Sequence, residues 1–559
     1  MKTSDILTRL KSEPYLRVIQ FLIGVVAIGL IFWQLQFATS AICCGDFDGY
    51  YHVKWTRILW DSIKNHFAVP AFPWLPLTTL NPRQFVDHHF LFHIFLVPFT
   101  QSEDPRLGAK ISSALFGALA VISCYWLLIR YRIGYALVWL IALLACSAPF
   151  LFRLNMAKAP PFAIIFLMIA IHLFFQKRYW PLLPLTFLFT ETYDVFPLLI
   201  AATFIWVAVI GWTERRFEWR PIMWVALGVT AGVVINPYFP ANLNLFYEHA
   251  KTKLTPSDFN TKVGGEWYPY DSWEFLGNSL VACLAMVVGF VALDPSERRN
   301  GYHPFFFAVF SSLLLVLMAR WRRIAEYWPP FAVMFAAFSL QPWLVGSRSI
   351  FSRLPSDIME ELKPFFDRDS IRTSDDTSLG DTSKIIVVSV IALILSVALF
   401  FNLRASRKEI SQSEHHDYYK QGAEWLRQHV PAGHIIFNTD WDDFPRLFYY
   451  DSNHYYVTGL DPSYLYDKSP ELSELYERIT LGKEEDPGPL IRDRFGATYV
   501  FSDNEHHDFF ANARASGWFD IVYEDEQCTI FRIRDEKLSP LEQTDTFPSD
   551  AAPEGGDRP

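Results

Sequence analysis

The stretch Gly45–Trp55, GDFDGYYHVKW, holds the residue types best suited to chemistry. Asp46 and Asp48 form a D-x-D pair. Two carboxylates this close can share a divalent metal, or one can have its pKa raised by the other and act as a general base. A helix over 48–60 would put Asp48, Tyr51, His52 and Trp55 on one face, since residues three and four apart are neighbours, with Asp46 as its N-cap. The plain alternative is a capping Asp46 and a solvated Asp48. A second cluster, DHHFLFH at 87–93, sets His88, His89 and His93 beside Asp87. His89 and His93 are four apart and suit hydrogen bonds to a phosphate or a sugar hydroxyl; as metal ligands, neutral imidazoles favour transition metals over Mg²⁺. A third, MARWRRIAEYW at 318–328, carries Arg320, Arg322, Arg323 and Glu326. Arginine binds phosphate in a bidentate manner; arginines anchoring a helix end are the alternative. Arg153 and Lys158 form a weaker basic pair. Glu191 and Asp194, in FTETYDVFP, are acids within apolar sequence, which are costly at membrane depth and point to function. Loop 239–272 holds Glu248, His249, Glu266 and Asp271 beside a Gly264-Gly265 pair, and reads as a lid over substrate or as a surface connection.

The elements that must position these groups are membrane helices. Of 559 residues 51% are hydrophobic, the mean hydropathy is +0.14, and aromatics reach 17%. The apolar residues fall in runs long enough to cross about 30 Å of hydrocarbon. The pattern predicts eleven spans, near 18–37, 107–129, 134–152, 159–175, 179–193, 195–212, 221–237, 273–294, 303–319, 325–345 and 384–402. The first is too long for a signal-peptide core and is expected to be retained. Lys2, Arg9, Lys11 and Arg17 place the N-terminus in the cytoplasm of an inner (plasma) membrane protein. An odd span count then places the C-terminal part outside. The segment 85–99 is apolar but short and charged, and fits a re-entrant or interfacial helix. The first outer loop therefore runs from 38 to 106, long enough to suggest function. The turn at 320–323 breaks the positive-inside trend, which asks for a reason such as a bound phosphate.

Three domains are expected: a membrane domain over 1–402 with a polar cytoplasmic linker at 346–383, an extracytoplasmic mixed α/β domain over 403–537, and a disordered acidic tail over 538–559. The linker holds an amphipathic helix, IFSRLPSDIMEELKPFF. Strands are expected at HIIFN, HYYVTG, ATYVFS, FDIVYE and CTIFRIR, and helices at DYYKQGAEWLRQHV and PELSELYERI. The net charge of -10 and the lack of a basic stripe argue against a nucleic-acid partner. Six scattered cysteines have neither zinc nor disulfide-framework spacing.

A first span, a D-x-D-type motif opening a long outer loop, many further spans and a C-terminal outer domain together resemble the GT-C superfamily of membrane glycosyltransferases, in particular the oligosaccharyltransferase catalytic subunit and protein O-mannosyltransferase group. The resemblance implies a lipid-linked sugar donor and an acidic residue of the loop, here Asp46 or Asp48, as base or metal ligand. A divalent metal, Mg²⁺ or Mn²⁺, is the cofactor it leaves room for, with Asp46, Asp48, Glu191 and Asp194 as candidate ligands. The stretch FNTDWDDFPRLFYYDSNHYYVTGLDP at 437–462 is similar in layout to the W-W-D-Y-G region of oligosaccharyltransferases, with Trp441 and either Asp442 or Asp443 at matching positions. It departs at Asp440, Phe444 and Pro445, so recognition of a peptide sequon does not carry over.

The reading is thus a glycosyltransferase that moves a sugar or glycan from a polyprenyl-(di)phosphate carrier to a protein, lipid or glycan acceptor on the extracytoplasmic face. Asp46 and Asp48 are the catalytic candidates. Arg320, Arg322 and Arg323 hold the donor phosphate. Tyr51, His52, His88, His89, His93, Trp441 and Asp442 contact substrate. The rivals are a secondary transporter, which would show inverted repeats and mid-membrane charges, and a non-catalytic assembly protein with an outer binding domain.

Overall fold

The computed structural model describes residues 13–42, 47–254, 265–294, 302–345 and 381–538. The chain divides into two compact units, each built from distant stretches of sequence. The first takes in residues up to 46, 87–243 and 265–414; the second takes in 47–86, 244–264 and everything from 415 onward.

The first unit is helical. Among the described residues, five helices are long and apolar enough to cross a membrane: Tyr15–Gln36, Pro105–Arg130, Pro197–Glu214, Ser272–Ala292 and Ile385–Ser411. Five shorter apolar helices accompany them: Phe90–Thr100, Pro160–Phe175, Leu182–Thr192, Arg220–Ile235 and Tyr302–Met318. The span expected over 134–152 is broken. Helices Ala136–Ala145 and Ala148–Leu154 meet at 85°, because Ser147 leaves helical geometry and caps the second helix through its hydroxyl, with Pro149 in the first turn. The segment around 85–99 forms Phe90–Thr100, only 11 residues long. At 1.5 Å per residue it covers roughly 16 Å, well short of a crossing. Asp104 and Asp271 cap the helices that follow them by accepting two backbone N–H bonds each.

Close helix packing here depends on small residues, as expected where lipid supplies no hydrophobic drive between helices. Gly228 and Gly232, one turn apart on Arg220–Ile235, face Leu182–Thr192. A Cβ on Gly228 would sit 2.6 Å from the Thr186 Cβ and 2.7 Å from the Leu183 carbonyl oxygen; one on Gly232 would sit 2.7 Å from the Thr190 Cβ.

The second unit is mixed α/β. Strands β1 (Ile435–Asn438), β2 (Tyr455–Tyr456), β3 (Ala497–Asp503), β4 (Phe519–Glu524) and β5 (Cys528–Ile533) form one sheet of order β2-β1-β3-β5-β4. β1 runs parallel to both β2 and β3, while β5 is antiparallel to β3 and β4. All five strands fall where alternating and apolar runs place them. Phe437, Val500, Phe509, Phe519 and Phe531 lie in a common core. Helix Pro470–Thr480 starts where expected, with Ser469 as its N-cap and Pro470 in the first turn.

Residues 47–86, read from sequence as a loop of the membrane domain, group with this sheet instead. Helix Asp48–His66 opens the stretch, and Phe47 holds the N-cap position with no side-chain cap bond, where Asp46 was expected. Its Trp55 is fully buried against Phe72, Trp74 and Phe85. Phe72 and Trp74 in turn pack on Phe448. Backbone bonds from Tyr456 N to the Trp74 carbonyl (2.8 Å) and from Thr79 N to the Tyr464 carbonyl (3.0 Å) complete the join.

Asp46, Cys43, Cys44, the linker 346–380 with its expected helix, and the tail from 539 lie outside the described residues.

Candidate active site

In the first unit, a charged network forms where the short helix Arg322–Glu326, the turn Gly265–Trp267 and the ends of Ala148–Leu154 and Leu182–Thr192 come together. Arg323 donates to Glu266 at 2.5 Å and to the Tyr193 hydroxyl at 2.6 Å. Its guanidinium lies over the rings of Tyr193 and Trp267. Arg153 donates to the other oxygen of Glu266 at 2.7 Å and to Glu326 at 2.6 Å. Glu266 thus bridges two arginines through both of its oxygens. Burial alone would raise its carboxyl; the neighbouring guanidiniums of Arg323 and Arg153 outweigh that and hold it well below the usual carboxylate range.

The histidine cluster adjoins this network. The His89 ring stacks on Tyr193 with centroids 5.4 Å apart. His93 Nδ1 is hydrogen-bonded to Asp87 Oδ2 at 2.7 Å, with both side chains fully buried. The other Asp87 oxygen accepts the His89 backbone N–H at 3.0 Å. Asp87 therefore positions both histidines, which explains why an acid precedes them in sequence. His88 lies half-buried beside His89.

Glu191 is 5% exposed. One of its oxygens accepts from Asn236 Nδ2 at 3.0 Å, and the other, Oε1, is buried without a hydrogen-bond partner. The charge of Asp87 acts on the same carboxyl. Asp194 is half-buried, and its charge is felt by Tyr193 and Arg323. Arg322 is turned to the loop: its Nε donates to the Pro269 carbonyl at 3.1 Å and its guanidinium lies over Tyr270. Arg320 is exposed and lies over Trp321.

The remaining candidates belong to the second unit. Asp48 is half-buried in the first turn of its helix, and Tyr51 and His52 face inward. Tyr51 packs against Phe72 and Phe448. Trp441 and Asp442 sit half-buried on the turn after β1, where Asp442 N donates to Asp440 Oδ1 at 3.1 Å.

No family model and no curated protein matches this sequence. Solved structures do. The Archaeoglobus fulgidus oligosaccharyltransferase AglB, in complex with an inhibitory peptide and a dolichol-phosphate, aligns at a TM-score of 0.54 and 11% identity, over 92% of this chain and 74% of that one. ArnT from Cupriavidus metallidurans, bound to undecaprenyl phosphate, aligns at 0.51 and 11% identity over 93% and 99%. The mycobacterial arabinofuranosyltransferase AftD aligns at 0.50 and 13% identity over 92% and 40%. The chain has the GT-C fold. The resemblance read from the D-x-D loop and the span layout is borne out at the level of fold.

Within this GT-C fold, sequence reasoning singled out Arg323, His89 and His93, which lie in or beside this network, but gave no role to Tyr193 or Glu326 and treated Glu266 as part of a lid. Tyr193 sits between two flagged acids at the end of a short apolar run, which is the signal that was present. Glu266 and Arg323 are 57 residues apart, and nothing local in the sequence announces that pairing.

Proposed function

We propose that this chain is an integral membrane glycosyltransferase that transfers a sugar or glycan from a polyprenyl-(di)phosphate carrier to an acceptor on the extracytoplasmic face. The observation that carries this reading is the arginine network, Arg153 and Arg323 clamped by Glu266 next to Arg320 and Arg322, on a fold whose solved relatives include two bound to polyprenyl phosphates.

In the reaction, the acceptor loses a proton to a carboxylate, for which Asp48 and Asp46 are the candidates. A bond forms from the acceptor atom to the anomeric carbon as the bond to the carrier phosphate breaks. The electron pair leaves with the phosphate. Arg320, Arg322 and Arg323 oppose the charge that builds there, the kind of electrostatic term that dominates such transfers. Arg323 is held in place by Glu266 and Tyr193, so it is oriented before the donor arrives. His88, His89 and His93 offer hydrogen bonds to the donor, and Tyr51, His52, Trp441 and Asp442 are assigned to the acceptor side. The expected orientation keeps the N-terminus cytoplasmic and the sheet-bearing unit outside.

A divalent metal fits this reading. A buried Glu191 oxygen lacking a donor, under the influence of Asp87, is an arrangement that a cation satisfies. Glu191 and Asp87 would hold it, with Asp194 of the same unit as a further ligand, and it would supply Lewis-acid stabilisation of negative charge.

The test is transfer from a labelled lipid-linked sugar in membranes. Asp48→Asn and Arg323→Ala are each expected to lower the rate by about 10²–10³. Full-rate transfer by both variants would remove the assignment. Mass spectrometry of lipid co-purifying with the protein would name the carrier.

A further inference from the structure

A second polar cluster lies at the carboxyl ends of the parallel strands β1 and β3. Their register pairs Asn438 with Phe501, so Asp440 and Asp503 each sit two residues beyond that rung. Thr439 links the two strand ends, donating its backbone N–H to the Phe501 carbonyl and its hydroxyl to Ser502 Oγ at 2.8 Å. His506 follows on the next turn with Nδ1 2.6 Å from Asp503 Oδ1. One ligating atom from each of Asp440, Asp503 and His506 falls within 4.8 Å of the others.

Asp443 follows Asp440 by three residues; it is 6% exposed, and its Oδ2 is buried with no hydrogen-bond partner. The charges of Asp440 and Asp503 both act on this carboxylate. Buried carboxylate oxygens normally find a donor, and this one faces like charge. The same carboxyl group is hydrogen-bonded to the Tyr419 side chain and lies near Arg446, whose guanidinium covers the rings of Phe47 and Tyr418, while Oδ2 itself stays unsatisfied.

We propose that Asp440, Asp503 and His506, backed by Asp443, form a binding site for a divalent cation. Two carboxylates and one imidazole make a mixed oxygen and nitrogen donor set, which suits Mn²⁺ or Zn²⁺ better than Mg²⁺ or Ca²⁺. The ion ties the turn after β1 to the turn after β3. Trp441 and Asp442 lie within the first of these turns, so it also fixes their orientation; only this last consequence rests on the acceptor role proposed above.

The experiment uses the full-length protein in detergent, stripped with EDTA and titrated calorimetrically with MnCl2 and, separately, ZnCl2. Wild type is expected to bind an equivalent that Asp440→Asn and Asp503→Asn each weaken at least tenfold, while Asp48→Asn keeps it. The ion should raise the wild-type thermal midpoint and leave that of the Asp440→Asn/Asp503→Asn double variant unmoved. The double variant also weakens the Asp503–His506 contact, so its folding is checked independently by circular dichroism in EDTA. Equal affinity and stoichiometry in wild type and double variant would overturn the site. So would wild type that takes up neither metal. Loss of sugar transfer in Asp48→Asn bears only on the catalytic reading, so the two proposals fail separately.

Discussion

At the residue scale, Glu266 has the most to lose from a single change. It is the shared acceptor of Arg153 and Arg323, with about a quarter of its side chain exposed. Glu266→Gln leaves two partly buried guanidiniums facing each other. Removing one partner of a fully buried pair costs about 3–5 kcal/mol, and the partial exposure here lowers the expectation to about 2 kcal/mol. A drop in thermal midpoint, with transfer falling further than stability, is the expected outcome. His454 offers a pH-dependent counterpart. Its ring lies fully buried between Asp451 and the Val430 carbonyl, with a nitrogen facing each acceptor. Burial alone would lower its pKa, but the hydrogen bond and charge of Asp451 prevail and raise it above the usual 6.5. A raised folded-state pKa stabilises fully below about 6.5 and loses that contribution as pH rises through the folded value. Denaturant midpoints should therefore fall as pH rises above neutrality. Asp451→Asn should cost about 3 kcal/mol at pH 6 and flatten that dependence; an unchanged slope in the variant would refute the assignment.

At the element scale, the helix pair Leu182–Thr192 and Arg220–Ile235 decides whether Glu191 reaches Asn236. Its seam is the Gly228/Gly232 pair, where an added Cβ meets Thr186, Thr190 and the Leu183 carbonyl inside van der Waals distance. Backbone lies on one side of the clash, so the helices must part. Gly228→Val is expected to cost about 1–3 kcal/mol as overpacking and to lower transfer by displacing Glu191, whereas Gly265→Ala meets nothing within 4 Å and should leave stability unchanged. Thermal melts and transfer rates of the two variants test this. The elements also show what the sequence made legible. The five strands of the second unit were readable because apolar and alternating runs are a local signal. The break at Ser147 was not, because 134–152 is apolar throughout and hydropathy cannot register an 85° bend. Arg323 stood out through its place in a short basic turn between apolar runs, yet its partners Tyr193 and Glu266 are 130 and 57 residues away. Long-range pairing of that kind leaves no period in the sequence. Asp442 and Asp443 could not be told apart from the sequence for the same reason: the difference between them is burial, which the fold decides.

At the scale of the whole molecule, the chain builds its second unit from three stretches, of which 47–86 and the part from 415 onward are separated by most of the apolar helices. Residues 47–86 supply Trp55, Leu59, Phe72 and Leu75, all fully buried, and the C-terminal stretch supplies Phe444 and Phe448, also fully buried. The two sets touch directly, with Phe72 6.3 Å from Phe444 and Trp74 4.8 Å from Phe448 by ring centroids. Full burial of one such side chain contributes about 1.5–3 kcal/mol. Uncovering even two or three would therefore remove much of the roughly 5–15 kcal/mol that keeps a domain folded. The sheet has its own core on the side of Phe437 and Phe531, so its strands can still pair, but the face around helix Phe444–Tyr450 cannot stay closed. A fragment of residues 415–538 is expected to lose near-ultraviolet dichroism from that aromatic cluster and to melt at a much lower temperature than the same fragment joined to residues 47–86 through a flexible linker. Identical melting of the two would show that 47–86 is a passive covering. The expected difference would mean that the stretch carrying Asp48 and the sheet carrying Trp441 fold as one body, and that neither can be truncated without loosening the other.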